Sequence, residues 1–267
     1  MTATIAELPR PRWSIIISTT VLHLLALLAL LPSNFSWAAV AVAVLLYCIT
    51  IGLGISLGFH RLASHRSFQV PRWLEYFFIF CGSLAGQGAV LGWIGYHRLH
   101  HLHTDQPLDP HDSKRGLWWS HIGWLMHTIP MRSQRARFTQ DIADDPFYQF
   151  CHDYYIALQI ALGVLLYALG GWPFVVWGVF LRLFVGFHST CFVNSVCHKF
   201  GYQTHNTGDR STNCWWVALL TFGEGWHNNH HACQASARYG QQWWEVDLVW
   251  QTIRLLREVG LATKVKT

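Results

Sequence analysis

Two long apolar runs, Trp13 to Leu31 and Trp37 to Phe59, lie near the start of the chain with only Pro32 to Ser36 between them. Each is long enough to supply the roughly 20 residues that a membrane-spanning helix needs. Inside hydrocarbon every backbone N–H and C=O must be satisfied within the protein, so such runs have to fold as helices. The first run is too long for the apolar part of a signal peptide, and a second follows almost at once, so it reads as a retained anchor.

Three further runs complete the pattern. Leu74 to Ile94 is apolar but carries Gly82, Gly86, Gln87, Gly88 and Gly92, whereas Tyr155 to Leu169 and Trp172 to Val193 are joined by the uncharged turn Gly170-Gly171. If the two short turns are the translocated ends, Arg10, Arg12, Arg61, Arg66, Arg72 and Lys199 share one face. The positive-inside rule then places both termini in the cytoplasm.

Composition agrees with a bilayer. Hydrophobic residues make up 52% of the 267 and charged residues 12%, about half the charged share of roughly 25% usual for soluble domains. The 15 Trp suit the membrane–water boundary, where one edge of an indole is apolar and the other hydrogen-bonded. The Lys and Arg behind the formal charge of +5 are scattered, which argues against nucleic-acid binding. The seven Cys include no C-x-x-C pair, so a reducing cytoplasmic side fits better than a disulfide framework. No Gly/Ser-rich or Pro-rich linker interrupts the chain, and 1–267 is expected to be a single domain.

Histidine is the compositional outlier. The windows 60–65, 97–101 and 227–231 hold eight of the 17 His. Even spreading would put about one there. His60 and His65 are five apart, about 140° around an ideal α-helix, so His65 is expected to act from a loosening last turn. In His97-Arg98-Leu99-His100-His101 and His227-Asn228-Asn229-His230-His231, positions i and i+4 share a face with i+3 beside them. Asn194 and His198 are again four apart, adding a ninth imidazole and an amide able to hold a bound water. Nine convergent imidazoles exceed what a four-coordinate zinc site uses, so two metal ions are expected. No paired Glu-x-x-His helices are present, which excludes a ferritin-like carboxylate site.

One site using both His60 and His97 constrains the fold. A membrane-crossing Leu74–Ile94 segment would separate them by about 30 Å. The segment is therefore expected not to span. The resulting fold is all-α and integral to the membrane, with four transmembrane helices in two hairpins and a cytoplasmic helical cap holding a di-metal site. His23, His121, His127, His152, His188 and His205 are expected to be packed or surface imidazoles, and His103 and His111 to make local hydrogen bonds.

HRLASHR, HRLHH and HNNHH resemble the three histidine boxes of membrane fatty acyl desaturases, and NSVCHKFG resembles the segment supplying their ninth histidine. The similarity extends from about Phe59 to Trp244 through DPHDSKRGLWWSHIGW and FGEGWHNNHH. It is closest to the Δ9 acyl-lipid desaturases of cyanobacteria. The resemblance implies two Fe ions bound by His60, His65, His97, His100, His101, His198, His227, His230 and His231, with Asn194 contacting one through water. It also implies a bent acyl tunnel shaped by Gln87, Trp93 and Thr190.

The implied reaction inserts a cis double bond into a saturated glycerolipid-linked chain, using O2 and two electrons. Gly95-Tyr96 stands where acyl-CoA members usually carry Arg-Asp, which favours a lipid substrate over acyl-CoA. With no fused cytochrome b5-like domain, the electron donor is expected to be a separate carrier, ferredoxin by resemblance. In a cyanobacterium the location would be thylakoid or plasma membrane. A His-rich site also takes zinc readily in purified protein. An acyl-CoA desaturase and a fatty acid or carotenoid hydroxylase share the scaffold. A divalent-metal transporter would instead need ligands deep inside its spans, where only His23 lies.

Overall fold

The computed structural model describes residues 9–129 and 135–267, the side chains of residues 135 and 136 aside; the expected cytoplasmic N terminus at residues 1–8 lies outside the described residues. Within them every regular element is a helix, and extended pairing is confined to isolated bridges such as Gln69 with Thr263.

Three helices are long and apolar enough to cross a bilayer: α1 (Trp13–Leu30), α2 (Trp37–Ser64) and a 53-residue segment, Pro146–His198. Ser36 caps α2 by accepting from the Ala39 N–H at 3.1 Å. The long segment begins at Pro146, where a missing N–H costs nothing, and Asp145 accepts from the N–H groups of Phe147 and Tyr148. Its helix is broken at Gly170 and Gly171, the latter at φ +67°, a left-handed conformation that glycine tolerates. Twelve residues of straight helix would span about 18 Å. Yet a Cβ placed on Gly178 would lie 2.8 Å from Leu166 Cδ1, so the chain doubles back between them. Leu166, Val175 and Val179 form the core of the hairpin.

The Leu74–Ile94 run does not form one helix. It is divided between α3 (Arg72–Ser83) and α4 (Val90–His103), with Gly86 and Gly88 at positive φ between them. A 12-residue α3 is about 18 Å long, well short of a 30 Å hydrocarbon core. Glycines let α2 approach α3: a Cβ on Gly54 would lie 2.4 Å from the Gly82 nitrogen, and one on Gly58 2.9 Å from the Phe78 carbonyl oxygen. This four-residue spacing of small residues permits backbone contact.

Arg182 is buried within the second arm of Pro146–His198 and hydrogen-bonded through all three of its side-chain nitrogens. It donates to Gly178 O, Thr50 Oγ1, Leu84 O and Gln159 Oε1, tying that arm to α2 and to the α3–α4 break. A buried cation is tolerated only with such partners. Short helices follow: α5 (Trp215–Leu220), α6 (His227–Ala232) and α7 (Leu248–Glu258). Val249 and Ile253 of α7 are buried against Leu57, Phe68 and Phe78, closing the fold over the ends of α2 and α3.

Candidate metal centre

The first histidine pair is aligned by an unusual helix. Residues Cys48–Ser64 of α2 are π-helical, and the His65 N–H continues the pattern by bonding the His60 carbonyl at 3.1 Å. In an i→i+5 winding, residues five apart come close to one face, and such turns recur at functional sites. His60 and His65 consequently have ring centroids only 4.8 Å apart. The expectation of a single loosening last turn understated this, because the winding change extends along the whole second half of the helix.

The nine box histidines form two groups. His60, His65, His97, His101 and His230 make one, and His100, His198, His227 and His231 the other, with candidate ligand atoms inside each within 4.8 Å of one another. The rings of His60 and His97 are 4.3 Å apart. Asn194, Trp93 and Thr190 line a cavity shared with His60, His97, His100 and His227. Gln87 stands behind it: its amide donates to Thr190 Oγ1 at 2.7 Å and to Gly186 O at 3.1 Å, and accepts from Trp93 Nε1 at 3.2 Å. Trp93 in turn stacks on His97 at 5.3 Å.

The donor set is that of a cation site. Carboxylates hold the outward nitrogens: Glu224 that of His60, Asp109 that of His100 (2.9 Å), Asp105 that of His198 (3.1 Å) and Asp209 that of His231 (2.9 Å). Each carboxylate accepts the Nδ1–H and fixes the tautomer, leaving an Nε2 lone pair facing inward. Inward Nε2 atoms then meet at short range, as in His198–His227 (3.0 Å), His227–His231 (3.1 Å) and His60–His230 (3.2 Å). Where both facing nitrogens are unprotonated, lone pairs this close repel unless a cation lies among them. Burial also holds the imidazoles of His97, His100, His101, His227 and His230 well below their ordinary pKa, with neighbouring His adding to the effect. They are neutral near pH 7, the form that binds metal.

The residues between the box histidines serve the scaffold, a role not read from the sequence. Arg61 is fully buried, paired with Glu224 and Asp247 at 3.1 and 3.0 Å and lying over the Tyr239 ring. Arg98 donates to the Ala63 and Ser64 carbonyls at the end of α2. Asn228 accepts from the N–H groups of Thr204 and His205, and Asn229 donates to Glu245 and to Tyr239 O. The four carboxylates were also missed, since Asp105, Asp109, Asp209 and Glu224 follow no fixed spacing from their histidines.

His111 has its ring 4.2 Å from His100 and groups with His100 and Asp109. Of the lone histidines, His23, His188 and His121 are linked in series by contacts of 2.8 and 2.9 Å, ending on Ser195. They join α1, the 119–123 turn and the second arm of Pro146–His198, which suits the packed role expected of them.

Long apolar helices that carry two buried imidazole clusters on their ends fit a membrane protein with a metal site. The family model for fatty acid desaturases matches residues 35–262. The chain is 61% identical to an sn-1 stearoyl-lipid 9-desaturase of Anabaena variabilis, covering 100% of this chain and 98% of that one. It is 62% identical to the enzyme of the same name from Synechocystis sp. (96% and 80% covered) and 48% identical to an sn-2 palmitoyl-lipid 9-desaturase of a Nostoc species (96% and 91%). The chain belongs to the fatty acid desaturase family, and it is an oxidoreductase.

Proposed function

We propose that this protein is a Δ9 acyl-lipid desaturase, acting on a saturated chain esterified to a membrane glycerolipid. The observation that carries the reading is the inward convergence of Nε2 lone pairs in two groups, in a chain matched end to end by a stearoyl-lipid 9-desaturase. The nine histidines are the proposed ligands of two Fe ions, five to one and four to the other, with Asn194 reaching one through water. Zinc is a competing occupant in purified material. When bound, the iron pair supplies the activation of O2.

The remaining work falls to the protein. Ile51, Ile55 and Val193 give the cavity at the imidazoles apolar walls, suited to an alkyl chain and poor for water. Trp93, held by Gln87, forms one wall beside His97, and Thr190 is fixed by the same amide. This hydrogen-bonded partition is the proposed kink of the acyl tunnel, and positioning of this kind decides which methylenes react. The balance is –CH2–CH2– + O2 + 2 e⁻ + 2 H⁺ → –CH=CH– + 2 H2O. The electrons come from a separate carrier, for which ferredoxin is proposed.

For the topology we read 1–267 as one domain in which the Gly170–Gly171 break divides Pro146–His198 into two spans. Four transmembrane helices in two hairpins then carry a cytoplasmic cap with both termini and the active site, in a thylakoid or plasma membrane. The partly exposed break between α3 and α4, which carries Gln87 and glycines at positive φ, supports placing that segment at the interface. Expression in a desaturase-deficient host, with the double bond mapped at each glycerol carbon, tests the function. New Δ9 unsaturation in intact lipid is expected. Hydroxylated chains alone, or unsaturation confined to acyl-CoA, would overturn the reading.

A further inference from the structure

A cavity distinct from the one lined by Trp93 and Thr190 opens at the C-terminal end of Pro146–His198, with a volume of about 260 Å³. Its floor includes buried Ser120, Ser195 and the ring of His198, and its mouth carries the exposed Lys114, Lys199 and Arg210. No carboxylate lines it. By contrast, Arg61, Arg66, Arg72 and Arg98 hold acidic partners. Among the described residues Lys114, Lys199 and Arg210 form no ion pair, although the three converge on one opening. Like charges gathered this way repel, and an anion between them removes the repulsion.

The surroundings indicate where the anion comes from. Lys199 directly follows the end of an apolar segment proposed to span the membrane. Beside the mouth, Trp118 and Phe200 are 58% and 52% exposed. Cations interleaved with exposed aromatics at a span end are the arrangement of a headgroup layer. At about 30 Å³ per water, the cavity has room for a phosphate or sulfonate together with part of a glycerol. The lining serines already donate, Ser113 to Asp105, Ser120 to Gly116 O and Ser195 to Cys191 O, so the three cations are the groups left to hold an oxyanion.

We propose that this cavity binds the tetrahedral oxyanion of an anionic membrane lipid, a phosphate or sulfonate headgroup seated among Lys114, Lys199 and Arg210. The proposal rests on the membrane reading of Pro146–His198 and not on the Δ9 assignment. A lipid seated there packs against the wall that includes His198 and leaves the cavity beside Trp93 free.

The test uses the full, metal-loaded chain in nanodiscs of equal phosphatidylglycerol and phosphatidylcholine with identical acyl chains, and native mass spectrometry of the lipids retained on release. Preferential retention of phosphatidylglycerol is expected. The Lys199→Gln/Arg210→Gln double variant should lower that preference by about tenfold, with metal content and helical circular dichroism unchanged. Equal retention of both lipids by the wild type, or an undiminished preference in the variant, overturns the proposal. Binding of inorganic phosphate with no lipid preference keeps the oxyanion chemistry and overturns its lipid source. Because the readout is lipid retention, a chain that desaturates without discriminating headgroups refutes only this inference. One that discriminates without desaturating refutes only the proposed function.

Discussion

Asp209 touches no proposed reacting group, yet it holds the Nδ1 of His231, and the orientation of the inward nitrogen depends on it. Asp209→Asn is expected to weaken metal binding by about 10–100-fold, read by titration of the metal-free protein, while the fold survives. Retained wild-type affinity would mean that the carboxylate is only a local turn acceptor. Gln87→Ala removes the link between Trp93 and Thr190 and leaves the half-buried Trp93 Nε1–H without its acceptor, at about 1–3 kcal/mol. Its expected signature is a mixture of double-bond positions from one substrate, measured by chain-position mapping, rather than simple loss of turnover. The histidines were legible because their chemistry is local and their spacing repeats. Asp105, Asp109, Asp209 and Glu224 were not legible, because each reaches its imidazole through the fold: Asp105 and His198 are 93 positions apart.

Helix α2 shows how an element converts spacing into geometry. On an α-helix the H-x4-H pair would diverge, and the π winding of Cys48–Ser64 brings His60 and His65 together. The same stretch carries Gly54 and Gly58 against the backbone of α3. Gly54→Val is therefore expected to separate α2 from α3 and abolish stable folding, seen as loss of monodisperse protein in detergent. Arg61 links the π-helical end to the loops on either side of α6 through Glu224 and Asp247. Arg61→Met would strand two buried carboxylates, at about 3–5 kcal/mol, measurable as lowered thermal stability. Gly86, Gln87 and Gly88, which mark Leu74–Ile94 in the sequence, fall where the run is divided between α3 and α4 instead of forming one long helix. The sequence pattern could not reveal the π winding, which depends on what α2 packs against rather than on its own apolar periodicity.

For the molecule as a whole, clustered neutral imidazoles make metal and stability interdependent. Chelation is expected to lower the unfolding temperature, since a ligand at a thousand times its Kd contributes about 4 kcal/mol. Restoring the metal should reverse the change. The metal-free chain should also weaken in acid. Burial holds His97, His100, His101, His227 and His230 below the ordinary value of 6.5 when folded, so below about pH 6.5 the unfolded chain binds more protons. Stability is then full above that pH and falls as pH decreases, by up to about 1.4 kcal/mol per unit for each group; a flat denaturation profile between pH 7 and 5 would contradict it. Apolar run length and histidine spacing alone pointed to a helical membrane chain with histidine triplets at metal-ligand spacing, because both are one-dimensional patterns set by bilayer thickness and helix pitch. The division of nine imidazoles into groups of five and four, the carboxylates behind them and the cationic cavity near His198 came only with folding. Each depends on contacts between residues distant in the chain, and those follow from how glycines, buried arginines and the Gly170–Gly171 reversal let the helices pack.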